Sequence, residues 1–336
     1  MSTNTQTPPR LDTKALSLLG GTSWPDRLRA AARGAGLVAV IIALFVAFGV
    51  ASPSFVSGNN VIAILLQASV VGVLAIGQTY VLITGGIDLS IGSIVAVSAI
   101  SAGMFSLVVP PVLAILGGIA VGALAGLVNG LLITLTGITP FIITLGTMSI
   151  YSGLALIISG GRAIYEIPQG FKDILAGRIA GIPMPIIIVI VLTVASALIL
   201  KFTTFGEYLI AVGGAAETAR LAGIKVKTIT AGSYVVSGAA AGLAGAILVA
   251  RLGAADPTIG ADLLLIAIAA TVMGGTKLTG GEGSMFGALF GAILIATLTA
   301  GLTSLNVQAF YQQVAVGAAI IIALLIDQVA RRARRA

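Results

Sequence analysis

Apolar residues in this chain gather into ten runs, most of them close to the length of a membrane crossing, with short polar or glycine-rich breaks between them. The runs cover residues 34–51, 60–83, 91–108, 110–135, 141–158, 184–200, 229–249, 261–273, 284–302 and 309–326. A spanning helix needs about 20 mostly apolar residues. The pattern therefore predicts an all-α polytopic membrane protein with about ten transmembrane helices, the eighth run being the shortest. Two breaks are long and polar. Residues 160–181 carry Arg162, Glu166, Lys172, Asp173 and Arg178, and residues 201–228 hold a second charged segment.

Composition agrees with the pattern. Of 336 residues, 58% are hydrophobic and 9% charged, with a mean hydropathy of +1.13; soluble domains carry about 25% charged residues. No stretch looks like a separate water-soluble domain. Cys and His are both absent, which removes thiol nucleophiles, disulfides and the commonest transition-metal ligands. No catalytic residue, metal site or bound cofactor is expected.

The net charge of +7 marks membrane orientation rather than nucleic-acid binding. With a cytoplasmic N-terminus and every run crossing, 14 Lys and Arg fall inside and only Arg162, Lys172, Arg178 and Arg251 outside, as the positive-inside rule demands. Both termini are then cytoplasmic. Three segments are expected. Residues 1–33 form a disordered, uncleaved tail with a short interfacial helix starting at Ser23-Trp24-Pro25-Asp26. Residues 34–328 form the membrane domain, and 329–336 a basic tail.

Asp88 interrupts the pattern. It lies in a break after Gly85-Gly86, between two membrane-length runs. A carboxylate at a helix centre costs roughly 2.5–3.5 kcal/mol on insertion scales. Two roles fit: a functional group facing a bundle interior or water-filled path, or a surface-loop residue whose carboxylate caps the next helix.

A faint internal repeat accompanies it. Asp88-Leu89-Ser90-Ile91-Gly92 matches Asp256-Pro257-Thr258-Ile259-Gly260 as D-x-[ST]-I-G, 168 positions on. Gly122–Gly126 matches Gly287–Gly291 as GALxG, 165 positions on. In the assigned topology the copies cross in opposite senses. An inverted repeat, a transporter architecture, and chance similarity among small residues both fit.

Enzymatic chemistry finds little support. No Lys directly follows a Gly, so the phosphate-binding G-x-x-x-x-G-K-[ST] pattern is absent, and the chain is not expected to hydrolyse ATP. The carboxylates in or beside the runs, Asp88, Asp256, Asp262 and Asp327, show no acid–base spacing. Polar residues inside the spans include Gln67, Gln78, Thr79, Asn129, Thr134, Thr144, Thr147, Ser237, Thr271 and Thr297. They could bind a hydroxylated solute or hold helices together, the latter at about 0.6 kcal/mol each. The pathway candidates are Gln78, Thr79, Asp88, Ser90 and Asn129.

Between the sixth and seventh runs, a short helix from about Ala215 to Ala222 is predicted. Glu217 and Arg220 share its face and Gly223 ends it. It could lie on lipid or dock into a groove of a cytoplasmic partner.

These stretches resemble the permease subunits of ATP-binding-cassette importers, in the ribose/monosaccharide branch. Gly85–Ser93, GGIDLSIGS, resembles that branch's characteristic stretch. Glu217-Thr218-Ala219 followed by Gly223 is similar to the E-A-A-x-x-x-G loop of importer permeases. Val272–Ser284 resembles a third family segment, and Tyr311-Gln312 sits where relatives have a similar pair. The likeness covers about Pro53 to Asp327. Thr218 departs from the middle alanine, and Ala215 stands where close relatives usually carry Asn.

The resemblance implies the permease fold and two such subunits, identical or paralogous, forming a pathway in a bacterial inner membrane. It also implies ATPase subunits that use the ATP and an extracytoplasmic binding protein that delivers a monosaccharide. Ala216, Glu217, Thr218, Arg220 and Gly223 would then couple to the ATPase within loop 201–228. Lipid is the remaining partner, and no nucleic acid is expected. The alternatives are an ion-coupled secondary transporter, or a family permease for nucleosides, signalling sugars or branched-chain amino acids.

Overall fold

The computed structural model describes residues 24–332; the expected tail over 1–23, with its Ser23 cap, and residues 333–336 lie outside them. Thirteen α-helices occur among the described residues. The first, α1 (Trp24–Ala51), runs without a break through both the expected interfacial helix and the first span. The glycines near the junction cost only about 1 kcal/mol each in a helix and do not stop it.

Capping chemistry sets many of the later boundaries. Helix α2 (Gly58–Ile83) starts where the Ser57 side chain accepts from the Asn60 N–H. Helices α3 (Ile91–Ser106), α4 (Pro111–Thr136) and α5 (Pro140–Ser159) follow. Proline in the first turn of α4 and α5 fits, because no partner is needed there for its missing N–H. Then come α6 (Gln169–Ala176), a hairpin of β1 (Arg178–Ile179) and β2 (Ile182–Pro183), and α7 (Met184–Phe202). The segment 160–181, expected to be a plain loop, thus carries ordered structure.

Helices α8 (Thr204–Gly214) and α9 (Ala216–Leu221) precede α10 (Val226–Leu252), α11 (Leu263–Met273), α12 (Met285–Ser304) and α13 (Ala309–Arg332). Six helices (α2, α4, α5, α7, α10 and α12) are long and apolar enough to cross a membrane; Ala35–Ala51, α3 and α11 are shorter apolar helices. The fold is all-α and multi-pass, and about ten crossings remains an approximate count. Lipid-length helices α4 and α5 turn residues such as Leu135 and Ile157 outward.

Two crossings are broken, which hydropathy alone did not predict. At 1.5 Å per residue, α3 and α11 reach only about 24 and 16 Å, short of the roughly 30 Å hydrocarbon core. Non-helical segments complete them. The chain leaves α2 at Ile83, re-enters the bundle through residues 84–90, and starts α3 inside it. Residues 253–262 do the same from the other end. Ala255 lies against Gly103 near the end of α3, and Gly260 lies against Gly92 near its start.

Helices α2 and α10 run antiparallel at the centre. The Tyr234 hydroxyl near the start of α10 donates to the Ile87 carbonyl beyond the end of α2, whereas Arg251 at the end of α10 donates to Leu66 near the start of α2. The first D-x-[ST]-I-G therefore follows one of this pair and the second follows the other, at opposite ends. Their glycines meet: a β-carbon on Gly92 would lie 2.5 Å from the Gly260 carbonyl oxygen, and one on Gly260 equally close to the Gly92 oxygen. The GALxG match does not share this symmetry. Gly122 and Gly126 press on α10, whereas Gly287 and Gly291 press on Gly274 and Ala270 beside and within α11.

Candidate functional site

Asp88 sits inside the protein, with no exposed surface, which removes the surface-loop role. Its depth follows from Ser237, eleven residues into α10 and so about 16 Å from that helix's start. The Ser237 hydroxyl donates to Asp88 Oδ2 at 3.0 Å. The Ser90 N–H and hydroxyl donate to Oδ1 at 2.9 and 2.6 Å. Capping-type geometry thus does exist, since Asp88 accepts from a backbone N–H just before α3, but it exists within the bundle.

The network continues outward. Asn129 Nδ2, on α4, donates to Ser90 Oγ at 2.7 Å. The Tyr151 hydroxyl, on α5, shares its proton between the Ala125 carbonyl at 2.9 Å and Asn129 Oδ1 at 3.2 Å. Asp88, Ser90, Asn129 and Ser237 are fully buried. The Ile87 carbonyl accepts from Thr144 and Tyr234, so side chains from α5 and α10 also fix the backbone before the carboxylate. The arrangement is a clasp that ties the re-entrant segment to α4, α5 and α10. Among the described residues no cation lies within ion-pair reach of Asp88, so neutral donors carry the whole interaction.

The sequence-derived candidates divide. Asp88, Ser90 and Asn129 come together. Thr79 instead donates to Ala75 in its own helix, where the Thr271 hydroxyl of α11 joins it on the same carbonyl. Gln78 is fully buried, and neither of its amide atoms has a protein partner. Ser237 appeared only among the general polar positions, and Tyr151 not at all; a tyrosine in an apolar run reads as packing.

The second candidate region is α9, expected over Ala215–Ala222 and found over Ala216–Leu221. Glu217 and Arg220 form a two-pronged pair at 3.0 and 2.6 Å on its exposed face. Hydrogen bonding from Arg220 holds the Glu217 carboxyl below its ordinary value. Gly223, at φ +85°, ends the helix: its N–H bonds to the Arg220 carbonyl and that of Ile224 to Ala219, the two bonds of a Schellman motif. Ala216 and Thr218 lie on the same exposed helix.

The helix that leads into α9 meets the end of α2 through close main-chain contact. Gly213, near the end of α8, presses on the Ile83 carbonyl oxygen and on Gly281. The Gly281 N–H donates to that same oxygen at 2.9 Å, and Gly280 touches both Gly213 and Gly85. Lys277 pairs with Glu282 across the base of this glycine loop. The loop packs three elements together at the point where the chain turns toward Asp88.

Residues 60–324 match the family model described as the permease component of the branched-chain amino acid transport system. The chain belongs to this permease family. Among its relatives, the ribose import permease of Bacillus subtilis is 42% identical over 288 residues, covering 85% of this chain and 89% of that protein. The D-allose transport system permease of Escherichia coli is 38% identical over 299 residues, 87% and 90% of the two chains. The L-arabinose ABC transporter permease of Azospirillum brasilense is 37% identical over 302 residues, 90% and 89%. No solved structure matches. The permease is thus a transport component rather than an enzyme, and family membership sets aside the ion-coupled secondary transporter.

Proposed function

We propose that this permease forms the translocation pathway of an ATP-driven sugar importer, in which α9 receives the movement of a separate ATPase and the Gly213–Ile83–Gly281 contact passes it to the Asp88 segment. That contact is the observation that carries the mechanism. It links the chain leading into an exposed, ion-paired helix to the re-entrant chain through main-chain atoms. Tightly packed backbone transmits displacement with little compliance.

The family model is named for branched-chain amino acids, yet the three relatives described above are named for ribose, allose and arabinose. A monosaccharide is therefore the preferred solute. It is delivered by an extracytoplasmic binding protein to a pathway shared with a second permease subunit. Both termini and loop 201–228 lie in the cytoplasm, where the ATPase uses its ATP, and residues 34–328 form the membrane domain. The path runs by Gln78, Thr79, Asp88, Ser90 and Asn129. The Gln78 amide, buried without a partner, is the best placed to meet a sugar hydroxyl, because leaving it unpaired costs about 1–3 kcal/mol. Asp88, Ser90 and Asn129 satisfy one another and line the path when their clasp opens.

The test is uptake into proteoliposomes holding this chain, its ATPase and its binding protein. Glu217→Lys, or deletion of residues 215–223, is expected to leave ATP hydrolysis running while sugar uptake stops. Uptake that survives the deletion overturns the coupling role. Uptake by the permease alone on an ion gradient overturns the importer.

A further inference from the structure

The two D-x-[ST]-I-G segments share a turn but not its surroundings. Asp256 Oδ1 accepts from the Thr258 N–H at 2.7 Å and hydroxyl at 2.6 Å, repeating the bonds of Ser90 to Asp88. Asp256, however, is only half-buried and Thr258 is exposed. Among the described residues nothing donates to the second oxygen of Asp256, and no side chain of another helix reaches it. One copy is clasped and the other is open.

The same 168-residue offset that relates the two aspartates relates α2 to α10, whose first residues are Gly58 and Val226. It pairs Ser237 of the clasp with Ser69 on α2. The last residues of α4 and α12, Thr136 and Ser304, stand at the same offset and pair Asn129 with Thr297, the GALxG match lying three residues out of this register. Ser69 and Thr297 are both buried, at 0% and 1% exposure. Each hydroxyl bonds only within its own helix, Ser69 to Leu66 and Thr297 to Ile293, both at 2.7 Å. Hydroxyls therefore stand at the two positions equivalent to the clasp donors Ser237 and Asn129, and neither hydroxyl bonds to another element.

We propose that Ser69, Thr297 and Asp256 form the counterpart of the Asp88 clasp in the opposite state of the transport cycle, so that the permease alternates between one clasp and the other. Ser69 takes the role of Ser237 and donates to the free oxygen of Asp256. Thr297 takes the role of Asn129 and donates to Thr258. Each exchanges a bond within its own helix for one to the second re-entrant segment, and Ser69 gains a charge-assisted bond, the stronger kind. The Gly92–Gly260 contact gives the exchange its mechanical basis, because the second re-entrant segment presses on the start of α3, which follows directly on the first. Ser69 and Thr297 are positioning residues; they need not touch sugar.

This inference rests on the importer reading, and its test scores the two separately. The complex with ATPase and binding protein is reconstituted with single cysteines, Thr258→Cys or Ser90→Cys, in a chain that has no native cysteine. Each thiol is titrated with a small methanethiosulfonate reagent in the nucleotide-free and vanadate-trapped states. The two reactivities are expected to change in opposite directions, by about tenfold each. Ser69→Ala is expected to abolish the protection at position 258, and Ser69→Thr to restore it. Reactivities that move together, an unchanging thiol at 258, or protection indifferent to Ser69→Ala each overturn the exchange, even where ATP-driven uptake stands. Absence of ATP-driven uptake by the unmodified complex overturns the importer reading and the exchange with it.

Discussion

Gly213 and Ile83 meet so closely that a β-carbon on Gly213 would lie 1.7 Å from the Ile83 carbonyl oxygen and 2.6 Å from the Gly281 nitrogen. Both of these atoms, and the Ile83 carbonyl carbon at 2.8 Å, are backbone, so no rotamer change relieves the overlap. Gly213→Ala is expected to separate α8 from the end of α2 and to lower ATP-driven uptake by tenfold or more, about 1.4 kcal/mol of lost coupling. Gly214→Ala is the control, since nothing lies within 4 Å of its β-carbon position. Parallel measurements of uptake and ATP hydrolysis check both; equal effects of the two substitutions would contradict the relay.

Truncating the clasp should cost more than neutralising it. Asp88→Ala removes the acceptor for Ser90 and Ser237 and leaves buried donors unpaired, at about 1–3 kcal/mol for each group. Asp88→Asn keeps one side-chain oxygen and most of the shape. Thermal unfolding in detergent is expected to rank wild type above Asn, and Asn above Ala. If both variants melt together, the hydrogen bonds are not what the carboxylate contributes.

Gly260 combines a left-handed φ of +100° with the close contact to Gly92. Gly260→Ala is expected to destabilise the permease by about 2 kcal/mol or more, from backbone strain and overlap together. Gly92→Ala meets the overlap without that strain, so the smaller loss in melting temperature belongs to position 92.

The Glu217–Arg220 pair has a definite response to pH. Arg220 lowers the Glu217 pKa in the folded protein, so the pair's contribution is fully present above the ordinary carboxylate pKa. It is lost as pH falls through the lowered value. Coupling of ATP hydrolysis to uptake should therefore be flat from about pH 8 down to about pH 5 as far as this pair is concerned. Glu217→Gln is expected to weaken coupling across that whole range without changing melting, because both side chains are exposed. A coupling loss centred near neutral pH in the unmodified protein would point to another group.

Hydropathy located the spans because lipid imposes one demand on every residue facing it. Ile83, Met184 and Ala309 lie at helix ends where the apolar runs place them. The breaks were harder. The run beginning at Ile91 reads as an ordinary span, and only the shortness of α11 hints that a crossing is completed by non-helical chain. Asp88 could be singled out because charge is rare in such a sequence, but its partner Ser237 stands 149 residues away and a lone serine carries no signal of distance. The fit of Gly213 against Ile83 was illegible for a simpler reason: glycine leaves no side-chain pattern to read. The inverted repeat was visible in five residues, and the mutual contact of Gly92 and Gly260 gives those five residues a physical cause.

That contact also bears on how the protein is made. The re-entrant segment at 84–90 is anchored in part by Ser237, and the start of α3 just after it meets Gly260, residues synthesised long after both. Peptide groups outside a helix cannot be left facing hydrocarbon, so the early spans, once threaded into the bilayer, wait with an unfinished polar interior until the later ones arrive. Nascent chains halted before residue 237 should accordingly be recognised by membrane quality-control proteases, while those carried past residue 260 should resist them. Biogenesis, like transport, is governed here by the meeting of two halves.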